Sequence, residues 1–142
     1  MNFDPENPVI LLCAEGMNLE GQGDPETAAN LFLKAWTEST SDFEKFTSAH
    51  YVARHQKTIP GKLKWDQTAL DFALKINDET MKVYYPSLYL NIAKCYEDLA
   101  DFDSAKEFYQ AARSYLNFLP DDGYGKMIKS GVEQGIERVS KC

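Results

Sequence analysis

The sequence predicts an all-α fold of stacked helix pairs, and three observations carry that prediction. Apolar residues recur at helical rather than strand spacing along almost the whole 142-residue chain. A small–large–small triplet occurs twice: Ala28, Phe32 and Ala35, then, 77 residues on, Ala105, Tyr109 and Ala112. Each triplet also follows a matching helix, marked by Leu12, Gly16 and Leu19 before the first and by Tyr89, Ala93 and Tyr96 before the second. Small residues on one helical face let a neighbouring helix approach closely, and the aromatic between them locks the contact. A repeated unit of that kind predicts an α-α superhelix, a solenoid of three helix pairs plus a C-terminal capping helix.

Each element has a local reason. Pro8 opens the first helix, which runs to about residue 22, where Gly21-Gln22-Gly23 breaks it. Asp24 reads as an N-cap with Pro25 at the first helical position, and the second helix fades at Ser39 to Ser41. A third helix is expected over 42–57, and Pro60-Gly61 reads as a turn. A fourth, about 62–76, has Trp65, Ala69, Phe72 and Ala73 on its buried side. Residues 77–85 are less regular and end at Pro86, which starts a fifth helix to about residue 100. Asp101 or Asp103 caps the sixth, which carries the second triplet. After the break at Pro120-Asp121-Asp122-Gly123, a last amphipathic helix over 124–140 places Met127, Ile128, Val132, Ile136 and Val139 on one side. No segment reads as a strand, and no Ser/Gly-rich linker divides the chain, so one domain over 1–142 is expected.

Composition narrows the function. Eight Phe, eight Tyr and two Trp supply a core, and a chain of this length buries about two-thirds of its unfolded surface. A net charge of −7 argues against general nucleic-acid or anionic-membrane binding. No run approaches the ~20 apolar residues of a membrane span. The opening residues carry Asp4 and Glu6 and no base, and the apolar run 9–13 is shorter than a signal-peptide core, so a cytoplasmic location is expected. Cys13, Cys95 and Cys142 have no metal-like spacing and fit reduced thiols. His50 and His55, five apart, point to different sides of a helix, so they are no zinc pair. No metal, cofactor or catalytic residue is expected.

At these residues the chain resembles the tetratricopeptide-repeat family. A first repeat, about 9–42, gives Leu12, Gly16, Leu19, Ala28, Phe32 and Ala35; a third, about 86–119, gives Tyr89, Ile92, Ala93, Tyr96, Ala105, Tyr109 and Ala112. Glu15 stands where the family favours Leu, and Thr40 and Asn117 replace its closing prolines. The middle repeat, about 44–78, is looser: Ala49, Val52, Ala53 and Gln56, then Asp66, Leu70 and Ala73, with one extra residue in its inner turn. The resemblance implies a non-catalytic interaction module that binds a peptide or protein segment in a concave groove lined by the first helix of each repeat. Mapped onto this chain, the lining is Ile10, Cys13, Met17 and Glu20, then Thr47, His50, Arg54 and Lys57, then Ser87, Leu90, Lys94 and Glu97. Arg54 and Lys94 hold the same repeat position, so they are expected on adjacent helices.

Charge patterning sharpens this into a candidate partner-binding set: His50, Arg54, Lys57 and Lys94 for charge, Met17 and Leu90 for apolar contact, with Asn91 beside them. Residues 1–44 carry nine acids and one base, residues 45–65 five bases and no acid. On a helix running to 57, His50, Arg54 and Lys57 share a face. A basic stripe on an acidic protein attracts an acidic peptide, and Arg54 can grip a carboxylate bidentately. The same bases can instead pair with the acid-rich helices around them. The family's carboxylate clamp for chaperone tails does not match: Cys13, Met17, Tyr51, Ser87 and Asn91 stand at its positions.

Chains similar to this one along most of their length sometimes carry the label rRNA adenine methyltransferase. That chemistry needs a sheet with a Gly-rich loop and usually an Asn/Asp-Pro-Pro-aromatic loop. Here Asn7-Pro8 is followed by Val9, and Tyr85-Pro86 by Ser87. Gly123-Tyr124-Gly125-Lys126 lacks the full phosphate-loop pattern and reads as a helix-breaking turn. An RNA-associated or ribosome-associated accessory role, through the basic segment 45–64, is the alternative to protein binding.

Overall fold

The computed structural model describes residue 4 and residues 6–142; every regular element among them is helical. The chain divides into two compact units, Met1–Asn77 and Asp78–Cys142. The first holds α1 (Pro8–Gly21), α2 (Pro25–Glu38), α3 (Asp42–Ala53) and α4 (Ile59–Leu74). The second holds a 3₁₀ turn (Glu79–Val83), α5 (Tyr85–Asp98), α6 (Phe102–Ser114), a second 3₁₀ turn (Leu116–Phe118) and α7 (Gly123–Ser140).

In the first unit α1 pairs with α2 and α3 with α4, and α3 also packs on α1 and α2. Each start is capped by the residue chemistry that precedes it. Asn7 Oδ1 accepts from the N–H groups of Val9 and Ile10, and Asp24 Oδ1 accepts from Thr27 N–H. Ser41 and Glu44 cap each other's backbone at α3. The Glu44 carboxyl is held below its ordinary range, first by the hydrogen bond from Asn7 Nδ2, 2.9 Å away, which also ties the start of α1 to α3.

Pro60 does not make the expected turn. Thr58 caps α4, its hydroxyl accepting from Gly61 N–H at 3.1 Å, and Pro60 sits in the first helical turn, where its missing N–H costs nothing. The helix therefore begins at Ile59. To make room, α3 stops at Ala53, short of the expected residue 57.

The first triplet is the core of this unit. Ala28, Phe32 and Ala35 are fully buried, joined by Val9, Cys13 and Val52. The edge of the Phe32 ring lies so close to Gly16 that a Cβ there would overlap it. Trp36 meets Trp65 edge-on at 5.1 Å and Phe72 at 6.0 Å, which fastens α2 to α4.

The second triplet organises the second unit in the same way. Ala105, Tyr109 and Ala112 are fully buried, and α7 packs on both α5 and α6 through Ile128, Val132 and Val139. Gly135 lets α7 approach the Tyr109 ring, at a distance that no Cβ would fit. Met127, expected on the buried side of α7, is 62% exposed, whereas Ile128, Val132 and Val139 are buried as expected, with Gly125 and Gly135 beside them. The Tyr109 hydroxyl donates to Glu97 Oε1 at 2.6 Å, and Arg138 donates to both Glu97 oxygens at 2.8 and 3.1 Å. The Arg138 hydrogen bonds hold the Glu97 carboxyl below its usual range, and burial raises the Tyr109 phenol.

Candidate functional site

Arg54 occupies the C-cap of α3. Its N–H bonds the Tyr51 carbonyl, that of His55 the Val52 carbonyl and that of Gln56 the Ala53 carbonyl, tightening the last turn into 3₁₀ geometry. Beyond it the chain leaves the helix, so Lys57 does not share a helical face with His50 and Arg54. The expected basic stripe is broken by this early end of α3.

The side chains around Arg54 form a stack. The Phe32 ring lies against Tyr51 at 5.1 Å and 16° and against His55 at 5.5 Å. The Arg54 guanidinium sits over the outer part of this stack, 5.4 Å from the Tyr51 centroid. Glu20, from α1, reaches both residues: Oε2 is 2.7 Å from His55 Nε2, and Oε1 is 3.5 Å from Arg54 Nη2. The first is a short hydrogen bond; the second is too long to be more than a loose ion pair. The Arg54 side chain is 46% exposed, and among the described residues none of its guanidinium N–H donors makes a hydrogen bond. Arg138 uses the same kind of side chain to make three. Arg54 is thus held in place by stacking with its donors largely unused.

His50 is turned inward. Its Nδ1 is shut off from solvent with no hydrogen-bond partner, and the ring meets Tyr51 edge-on at 5.3 Å. Burial, then the nearby cations Arg54 and Lys62, push its pKa down to about 4. His50 is therefore neutral near pH 7. Lys62 is taken by the buried carboxylate of Asp66 at 2.6 Å. Lys57 edges a depression with Pro25, Glu26, Ala29, Asn30 and His55 and has no acidic partner among the described residues. Of the other expected lining residues, Met17 is 41% exposed, while Ile10, Cys13 and Thr47 are buried. Burial lifts the Cys13 thiol to about 12, so it is a packed apolar group.

Lys94, Leu90 and Asn91 belong to the second unit. Lys94 is 53% exposed and paired with Asp98 one turn on, at 2.7 Å. Leu90 is half-buried and leans on α7, its Cδ2 methyl 3.2 Å from where a Cβ on Gly131 would sit. Asn91 is half-buried on α5. Glu97, expected to line the groove, is engaged by Arg138 and Tyr109.

Glu20 was not among the predicted contacts for Arg54. The two lie 34 residues apart on separate helices, and no local spacing links them. The Lys62–Asp66 pair, by contrast, has the i,i+4 spacing that the sequence itself displays.

Among the described residues no helix is long and apolar enough to cross a membrane, and no cluster of His, Cys, Asp and Glu could hold a metal ion. Residues 86–114, which span all but the first residue of α5 and the whole of α6, match the model of the tetratricopeptide repeat. No curated protein and no solved structure matches the chain.

Proposed function

From the match of residues 86–114 to the tetratricopeptide repeat, we propose that the chain is a non-catalytic module that holds a segment of another protein. Repeats of this family suit protein–protein interaction, and the function has to come from side chains placed on the helical scaffold. The observation that carries the reading is Arg54: a half-exposed guanidinium over an aromatic face, whose donors make no hydrogen bond among the described residues. Such a group suits a carboxylate, so the favoured segment is acidic. Met17 and Lys57 belong to the same unit and are assigned apolar and charged contacts there. In the second unit Lys94 and Asn91 are assigned to the partner, with Leu90 holding α5 against α7. His50 supports Tyr51 beneath Arg54 and stays neutral.

Capture from native lysate tests this, with wild type, Arg54→Glu and Lys94→Glu immobilised separately and the bound proteins identified by mass spectrometry. Both side chains are exposed, so the variants keep the fold. Partners held by wild type should be lost or reduced about ten-fold on Arg54→Glu. The same proteins in the same amounts on all three would reject the assignment.

One observation favours an RNA-associated role as the second reading. Lys45, Lys57 and Lys64, all in the basic segment, have no acidic partner among the described residues. Lys45 lies over the Phe72 ring at 5.2 Å. Binding of a single-stranded RNA that falls steeply between 50 and 200 mM salt (roughly the range over which phosphate contacts are screened), and that weakens in Lys57→Glu and Lys64→Glu, would support it. Absence of binding at low salt would remove it.

A further inference from the structure

We infer that Glu20 is an internal competitor for Arg54, standing where a partner's carboxylate would bind and so setting how acidic a segment must be to dock. The inference rests on the reading of Arg54 as a partner contact, and it adds a residue that the reading does not contain. Three features of the cluster lead to it. Glu20 is itself a carboxylate of the class that Arg54 is expected to take. Its two oxygens are unequally used, with Oε2 tethered to His55 at 2.7 Å and Oε1 only 3.5 Å from Arg54 Nη2. Arg54, in turn, has a second support that is not a carboxylate, because its guanidinium carbon lies over the Tyr51 ring.

This geometry differs from a structural arginine site. At Arg138 the carboxylate of Glu97 is gripped by two nitrogens, at 2.8 and 3.1 Å, and the phenol of Tyr109 completes the set. The Nε–Nη2 edge of that guanidinium is already filled by a carboxylate. At Arg54 the intramolecular acid is held back by its histidine tether, so an incoming carboxylate can form the two parallel hydrogen bonds that Glu20 does not. Docking then costs only the loss of a loose, half-exposed ion pair.

The test uses a fluorescein-labelled hexaglutamate peptide, with fluorescence anisotropy at low salt, on the full chain. Glu20→Gln keeps the side-chain shape and a hydrogen bond to His55 while removing the charge. It should bind about two- to five-fold tighter than wild type, the range set by a loose exposed ion pair. Glu15→Gln, on the exposed side of the same helix, controls for net charge and should gain less. In an Arg54→Gln background the gain from Glu20→Gln should vanish, because the competitor has lost its target. Circular dichroism on each variant confirms the helical content.

A gain in Glu20→Gln no larger than in Glu15→Gln, or one that persists without Arg54, would overturn the inference. If Arg54→Gln weakens binding while Glu20→Gln changes nothing, the inference fails and Arg54 as a contact survives. If no form of the protein binds the peptide, Arg54 as a carboxylate contact and Glu20 as its competitor both fail.

Discussion

Replacing Gly135 with Ala puts one methyl group into the contact between α7 and Tyr109. That methyl would overlap the Tyr109 ring. The ring cannot withdraw, because Tyr109 is fully buried and its hydroxyl is tied to Glu97 at 2.6 Å and to Arg138 at 3.3 Å. Overpacking of this kind costs ~1–3 kcal/mol. Against it stands the helical preference of Ala over Gly, ~1 kcal/mol. Gly131→Ala, one turn earlier on the same helix, receives the same preference and meets only the free end of Leu90, whose methyl can rotate away. Gly131→Ala should therefore be neutral or up to ~1 kcal/mol more stable than wild type, and Gly135→Ala should lie ~1–3 kcal/mol below it. Urea unfolding followed by circular dichroism measures both, with the midpoint compared at unchanged slope. A Gly135→Ala protein as stable as Gly131→Ala would refute the close seating of α7 on α6.

The remaining predictions concern the first unit. Gly16→Ala drives a methyl into the Phe32 ring, which stacks on Tyr51 and His55; the overpacking costs ~1–3 kcal/mol against a helical gain of ~1 kcal/mol, so the urea midpoint should not rise above that of wild type. His50 gives a pH signature. Its folded pKa, near 4, lies below the ordinary value of about 6.5, so the unfolded chain takes up the proton first. Its contribution to stability is complete above about pH 6.5 and is lost as the pH falls toward 4, by up to ~3 kcal/mol. His50→Gln should flatten urea midpoints between pH 7 and pH 4.5, while wild type falls; equal slopes in the two proteins would contradict the buried neutral imidazole. The carboxylates of Glu44 and Glu97, held low by their hydrogen bonds, lose their contributions in the more acidic window where they protonate.

Much of the fold was legible because its determinants are local. The two triplets mark the buried faces of α2 and α6, and Asp24-Pro25 and Asp101 cap their starts. The helix ends around residue 57 were misread for a physical reason. Pro60-Gly61 resembles a turn in sequence, yet a proline in the first turn of a helix loses no hydrogen bond, and Thr58 supplies the cap. Moving that boundary takes Lys57 off the face of His50. Met127 was wrongly added to the inward face of an amphipathic helix, where glycines sit beside the expected Ile128, Val132 and Val139. The candidate site was legible as residue types but not as pairings. Arg54 stood out as a cation in a basic segment, whereas its neighbour Glu20 and its tether to His55 arise from the packing of α1 against the end of α3. His50 looked like an exposed charge because spacing alone does not say which polar group will be buried.

Mapping the contact directly on the protein is the decisive measurement. With 15N-labelled protein and a partner segment identified by capture, chemical-shift changes report which helices it touches. Changes are expected at Met17 and Glu20 on α1 and at Arg54 at the end of α3, with Arg54 largest. Changes confined to α2, α4 and α6, with Arg54 silent, would contradict that expectation.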